Sequence, residues 1–328
     1  MSSCNQGTGC GVNMPSETSL LHIIENQIGG KHIGDDCAYL EDFGIVMTQD
    51  SLVEDVHFCM DWIAPRELGY KSIMVNVSDV CASGCVPKYI TVAMSLPKNI
   101  CAEWVEGFYE GAKKACTESE VKIVGGDLTG SDKVMISCCA IGKKVDRQAI
   151  ATRSGALAGY KVVVSGECGN SAVGLGLLIG QIDKNIFMQD GQQYFITNHV
   201  IPRAEIEFSR KVASQMTNGV PYAMMDTSDG LIDALAKIAD RSNIGIVIDF
   251  EKIPVCSAMK KLQNWQDFVL FGGEDYKLVA CVPQEVQCTF GTVIGGVIAG
   301  RGVDVKIGDK VQHFDLHDVQ ERTYQHFE

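Results

Sequence analysis

A chain of 328 residues is longer than one hydrophobic core usually fills, so two domains are expected. Apolar residues make up 46% and charged residues 21%, an ordinary globular composition, and no stretch nears the roughly 18 apolar residues of a membrane-spanning helix. The formal charge of −13 argues against a nucleic-acid partner, and the polar start from Met1 to Met14 lacks the basic and apolar regions of a signal peptide, which makes the cytoplasm the expected address.

Residues 1–16, rich in Gly, Ser and Asn, read as a disordered tail carrying Cys4 and Cys10. An amphipathic helix is expected from about Ser16 to Ile28, with Gly29-Gly30 ending it. Cys37 to Leu40 and Ile45 to Val53 form a hairpin through Glu41-Asp42-Phe43-Gly44. The Asp-Phe-Gly there does not signify a protein kinase, because neither the Gly-rich loop, the V-A-I-K lysine nor the H-R-D loop accompanies it. Pro65 opens a helix running to about Gly84. On it Ser72, Asn76, Asp79 and Ser83 make a polar stripe, expected to line a polar cleft because a solvated face more often carries Lys and Glu. Lys88 to Leu96 reads as a strand. Cys101 to Glu118 reads as a helix with Trp104, Phe108, Ala112 and Ala115 facing the core and Tyr109 off that face. Strands follow at Val121 to Gly125 and Val134 to Gly142, joined by a loop beginning Gly126-Asp127.

A domain boundary is expected near residue 150, where the chain becomes basic and irregular. Beyond it, the strand Val162 to Ser165 leads into a helix from Ser171 to Ile179. The glycines there do not fit a dinucleotide-binding G-x-G-x-x-G. Ala223 to Asp226 is a short strand, and Ser228 or Asp229 could cap a helix from Gly230 to Arg241. Apolar runs at Ile244 to Phe250, Tyr276 to Val282 and Thr292 to Ile298 complete a mixed sheet, giving an α/β fold. The fourteen cysteines show no C-x-x-C spacing and read mostly as small buried hydrophobes.

Acidic residues recur where apolar runs end, at Asp35-Asp36, Asp50, Asp79, Asp127, Asp226, Asp229 and Glu274-Asp275. Carboxylates gathered at strand and helix ends, with glycines letting backbone approach a ligand, suit several Mg²⁺ ions with bound phosphates. No P-loop is present. Asp226-Thr227-Ser228-Asp229-Gly230 could instead hold metal and phosphate at a strand-to-helix turn, or be a helix cap with an extra acid. Gly125-Gly126-Asp127 makes the same offer, or is a plain glycine turn. No Ser-His-Asp or Cys-His set is evident, and a lone histidine such as His57 is usually structural.

The ordered set Ile33-Gly34-Asp35-Asp36-Cys37-Ala38, Gln49-Asp50-Ser51-Leu52-Val53 with His57-Phe58, Gly69-Tyr70-Lys71 and Val75-Asn76-Val77-Ser78-Asp79 resembles the thiamine-monophosphate kinases. These belong to the aminoimidazole ribonucleotide synthetase-like superfamily. The likeness continues through Val124-Gly125-Gly126-Asp127, Thr152-Arg153-Ser154-Gly155-Ala156, Asp226-Thr227-Ser228-Asp229-Gly230-Leu231, Gly272-Gly273-Glu274-Asp275-Tyr276 and Tyr324-Gln325-His326-Phe327. The resemblance implies two α/β domains, an N-terminal one at 17–148 for metal, ATP and dimerisation and a C-terminal one at 149–328. The N-terminal domains of a homodimer would pair into a β-barrel. It also implies phosphorylation of thiamine monophosphate by ATP to thiamine diphosphate. By match to the family motifs, Asp36, Asp50, Asp79, Asp127, Asp226 and Asp229 would hold Mg²⁺, with Asp127, Arg153, Asp226 and Asp229 serving transfer. Thr48, Gln49, Tyr109, Gly126, Arg153 and Ser228 would contact ATP, although Gln49 stands where a threonine is common in the family. His57, Glu274 and Tyr324 would face the thiamine phosphate.

The physics of direct transfer agrees with that implication. Two phosphoryl groups of charge near −2 held about 5 Å apart repel by roughly 13 kcal/mol at an effective dielectric of ~20, so cations must offset them. The acceptor oxygen is already mostly ionised at neutral pH, so no strong general base is needed. Rivals fit less well. A selenophosphate synthetase carries a reactive Cys close to a Lys near its start, whereas the first lysine here is Lys31. A hydrogenase-maturation relative ends in a reactive cysteine, whereas this chain ends Phe327-Glu328. A non-catalytic relative that keeps the fold would bind nucleotide without turnover.

Overall fold

The computed structural model describes residues 17–30, 33–217 and 219–323. The tail at 1–16, with Cys4 and Cys10, and Tyr324 lie outside the described residues. α1 spans Glu17–Ile28 and is followed by the hairpin β1 (Ala38–Leu40) and β2 (Ile45–Val53). Then come α2 (Pro65–Ala82), β3 (Val86–Leu96), α3 (Ala102–Ser119), β4 (Lys122–Gly130) and β5 (Met135–Lys143). These strands form a five-stranded sheet in the order β1-β2-β5-β3-β4, in which β3 and β4 run parallel and the other neighbours antiparallel.

The second half holds β6 (Lys161–Val164), α4 (Asn170–Leu178), α5 (Gln189–Val200), α6 (Ile206–Ala213), β7 (Ala223–Asp226) and α7 (Leu231–Ser242). After these come β8 (Gly245–Asp249), α8 (Trp265–Phe271), β9 (Leu278–Val282), β10 (Thr292–Ile298), β11 (Gly302–Ile307), β12 (Lys310–Phe314) and α9 (Leu316–Gln320). Its seven-stranded mixed sheet has the order β12-β11-β8-β10-β6-β9-β7. Among the described residues no helix is long and apolar enough to cross a membrane.

The near-continuous apolar runs of β6, β7 and β9 reflect burial on both faces. Val163 and Met224 point into one core, while Val162, Val164, Ala223 and Met225 point into the other, as the alternation of a strand requires. The first core also takes in Ile73, Val77, Ile90 and Phe108, so it is shared between the two halves of the chain. α2 runs through it with fourteen of its eighteen residues buried, among them Lys71, Ser72, Asn76 and Ser78. A helix surrounded on all sides shows no amphipathic stripe in the usual sense, and that corrects the reading of its polar face. Ser72 and Ser83 donate to the carbonyls of Leu68 and Asp79 in their own helix, and of the four only Asp79 lines the cleft.

Two further expectations change. Gly126-Asp127 does not begin a loop: β4 continues to Gly130, and Asp127 pairs with Ala93 in mid-strand. A Cβ on Gly126 would lie 1.9 Å from the Val92 carbonyl oxygen, so glycine is required there by the close approach of β4 to β3, beside a register shift. The N-cap of α7 is Gly230, without a side-chain cap, so neither Ser228 nor Asp229 caps it.

Candidate active site

A cleft of about 640 Å³ is walled by α1, β2 and α2 from the first half of the chain. The second half contributes Arg153, α4, α5 and the turns after β7 and α8. The buried elements α2 and β7 end at the cleft, which is how side chains far apart in sequence meet there. The end of α2 supplies Asp79, the end of β7 supplies Asp226, and the segment before β1 supplies Asp36. One oxygen of each of these three carboxylates lies within 4.8 Å of the other two.

The surroundings of this trio fix its geometry. Thr48 Oγ1 donates to Asp79 Oδ2 at 2.7 Å, and Ser78 Oγ donates to Asp226 Oδ2 at 2.7 Å. The Ser228 N–H reaches Asp226 Oδ1 at 3.3 Å. Arg153 Nη2 lies 2.6 Å from Asp36 Oδ1 and its backbone N–H donates to Asp35 at 2.7 Å. The buried Arg153 Nε–H has no partner among the described residues. Asp50 lines the same space, its backbone N–H held by Asn76 Oδ1 at 3.1 Å.

One arginine does not neutralise this much negative charge. Burial, then the charge of Asp36, pushes the Asp226 carboxyl up to about 7, and burial with Asp229 and Asp36 pushes Asp50 up to about 6. Asp79 is raised by burial and by Asp50 and Asp226, and Asp36 is raised by burial in spite of Arg153. Hard oxygen donors that are close, buried and short of countercharge fit a divalent cation. Asp229, also in the cleft, is bound to Lys237 at 3.0 Å, which in turn pairs with Asp233 at 2.7 Å.

At another part of the wall stands one carboxylate with its own cation. Glu274 Oε1 lies 2.8 Å from Lys71 Nζ and Glu274 Oε2 lies 3.4 Å from His199 Nδ1, which is 3.0 Å from Ser171 Oγ. Burial acts to raise the Glu274 carboxyl, but Lys71 and His199 outweigh it and hold it below the usual range. Burial, then Lys71, pushes His199 down to about 4, which leaves it neutral near pH 7. Asp275 turns away from the cleft. It accepts the backbone N–H groups of Gly169 and Ser171 and so caps the start of α4 from a distant segment.

The structure therefore brings together Asp36, Thr48, Gln49, Asp50, His57, Asp79, Arg153, Asp226, Ser228, Asp229 and Glu274. It does not bring Asp127, Gly126 or Tyr109 to them within one chain. Asp127 is level with Ser51 across β2-β5-β3-β4, three strand spacings or about 14 Å away, and exposed on an edge strand. Tyr109 sits exposed on α3, its ring meeting that of Phe108 in a T-shaped pair. Lys71, Ser78, Ser171 and His199 were missed as site residues. Lys71 had a signal, a lone lysine in an otherwise apolar helical stretch. His199 had none, because α5 itself is not legible as an apolar pattern.

Residues 34–143 match the model of the AIR synthase related protein N-terminal domain, and residues 158–307 match that of its C-terminal domain. A curated thiamine-monophosphate kinase from Aquifex aeolicus is 35% identical over 305 residues, covering 90% of this chain and 95% of the relative. The chain belongs to the thiamine-monophosphate kinase family. A second member of that family, from Bacillus subtilis, is 34% identical over 77% of this chain and 78% of its own. A solved structure of AaThiL complexed with AMPPCP and TMP matches with a TM-score of 0.80 at 35% identity, covering 91% of this chain and 96% of that one. The likeness to thiamine-monophosphate kinases thus spans nine-tenths of the chain.

Proposed function

We propose that this chain transfers the γ-phosphoryl group of ATP to thiamine monophosphate, giving thiamine diphosphate and ADP. The observation that carries the reading is the Asp36–Asp79–Asp226 cluster beside Arg153, in a chain of the thiamine-monophosphate kinase family. Mg²⁺ would be held by Asp36, Asp79 and Asp226, with Asp50 and Asp229 alongside, and would offset the repulsion between donor and acceptor phosphates. Arg153, whose Nε–H has no partner among the described residues, supplies a donor and a positive charge to the transferring group. Thr48, Gln49 and Ser228 would contact ATP, and His57 and Glu274, with Tyr324, would face the acceptor. In-line positioning then replaces base catalysis, in keeping with a cleft built around carboxylates.

The working unit is proposed to be a homodimer joined through the first half. All nine residues of β4 are exposed, including Val124 at 57% and Leu128 at 70%, along an edge that pairs on one side only. The sheet face carrying Met47, Gln49 and Ser51 is likewise exposed. A second copy would cover both, and would also allow Asp127, Gly126 and Tyr109 to complete a neighbour's site. We assign 17–148 to the metal, ATP and dimer domain and 149–328 to the second domain, and we place the protein in the cytoplasm.

Phosphorus NMR of the protein with ATP, Mg²⁺ and thiamine monophosphate tests the reading. A new diphosphate signal is expected when all three are present. ADP without thiamine diphosphate would mean another acceptor, and no loss of ATP would mean a non-catalytic relative.

A further inference from the structure

α2 carries two charged groups of opposite sign toward the cleft, Asp79 in the metal-type cluster and Lys71 eight residues earlier, about 12 Å along the helix axis. Asp79 lines the cleft, but Lys71 does not. Its side chain is 0% exposed, with Nζ 2.8 Å from Glu274 Oε1 and donating to the His199 carbonyl oxygen at 3.3 Å. Lys71 therefore cannot touch a ligand, and what it does there it does through Glu274.

Glu274 is held from three sides. Besides Lys71 and His199, its own N–H donates to the Ser228 carbonyl at 2.7 Å, in the turn that follows Asp226. Its backbone has φ of 63°, a conformation that a glutamate adopts only where surrounding contacts impose it. A Cβ on the preceding Gly273 would come 2.7 Å from the same Ser228 oxygen, so the two turns are packed backbone to backbone. The result is a carboxylate at fixed distance and direction from the aspartate cluster.

We propose that Lys71 is a positioning residue for the phosphoryl acceptor, acting by holding the Glu274 carboxylate in place and aimed into the cleft. This rests on the acceptor being thiamine monophosphate, whose quaternary thiazolium is the one permanently cationic organic group in the reaction. A carboxylate attracts that ring, so its alignment acts on acceptor binding more than on nucleotide binding, which the aspartate cluster and Arg153 would carry. Without Lys71, Glu274 takes up a proton or turns away, since an unpaired buried carboxylate is costly.

The test compares wild type with Lys71→Met, Glu274→Gln and the double variant, measuring KM for thiamine monophosphate, kcat, and the affinity for AMPPCP with Mg²⁺. Lys71→Met and Glu274→Gln are each expected to raise KM about tenfold or more, with kcat and AMPPCP affinity changed less than about threefold. The double variant is expected to match Glu274→Gln, because a residue acting through Glu274 has nothing left to position. Should Lys71→Met fail to fold, the double variant, which buries no unpaired charge, still allows the comparison with Glu274→Gln. The proposal is overturned by an unchanged KM in Lys71→Met, by a double variant much weaker than Glu274→Gln, or by an equal loss of AMPPCP affinity. Wild-type protein that does not turn over thiamine monophosphate at all would instead remove the function proposed above, and this proposal with it.

Discussion

The cleft has two acidic regions that solve the problem of a buried carboxylate in opposite ways. At Asp36, Asp50, Asp79 and Asp226 the acids are crowded together with Arg153 paired to Asp36, and every one is pushed toward its neutral form. At Glu274 one acid has Lys71 at 2.8 Å and stays ionised. The first region is unfinished until charge arrives from outside, whereas the second is complete within the chain. This contrast separates a cluster suited to cations from a carboxylate held rigid within the chain, and fold or residue type alone would not reveal it.

The largest expected effect lies in the unfinished region. Asp226→Asn should lower turnover by about a thousandfold, the scale of losing several kcal/mol of metal stabilisation, while the fold persists. Mg²⁺ should raise the melting temperature of wild type by several degrees and leave that of Asp226→Asn nearly unmoved. An equal shift in both proteins would mean that the cation binds elsewhere, and the comparison would collapse.

A second prediction asks whether that region is finished by a neighbour. Asp127→Asn and Asp226→Asn should each be inactive, yet mixing them should restore about a quarter of wild-type activity. Half of randomly paired dimers would be mixed, and each of those would hold one intact site. No recovery on mixing, with subunit exchange verified by mass, would confine Asp127 to its own chain.

The smallest effect belongs to the completed region. His199 titrates at about 4 in the folded chain against an ordinary 6.5. Between those values the unfolded chain binds more protons, so this contribution is present above about pH 6.5 and lost as pH falls toward 4. It amounts to a few kcal/mol at most. Urea denaturation from pH 4 to 7 should show a shallower loss on acidification in His199→Gln than in wild type. Parallel curves would mean that His199 is not the group being protonated.

Much of the architecture was readable because local periodicity carries it. β2, β7 and α2 begin where their apolar runs and Pro65 place them, and Trp104, Phe108, Ala112 and Ala115 all face the core. α5 and α6, the pair β11 and β12, and α8 were not read, because their patterns are short or interrupted by polar residues. At the site, the aspartates were visible as acids at the ends of apolar runs. Of their partners on α2, Asn76, which holds Asp50, was visible in the polar stripe, whereas Ser78, which holds Asp226, lay off that stripe among buried apolar residues.

The sequence by itself determined which residue types could do chemistry here and, through the ordered motifs, the family to which the chain belongs. Only the tertiary structure decided which acids share a space and which stand apart. That division depends on burial and through-space charge, both set by how α2 lies between the two sheets. Local sequence encodes the period of an element but not its neighbours. So Asp226 and Glu274 look alike in the chain, while the fold leaves one short of positive charge and supplies the other with a lysine.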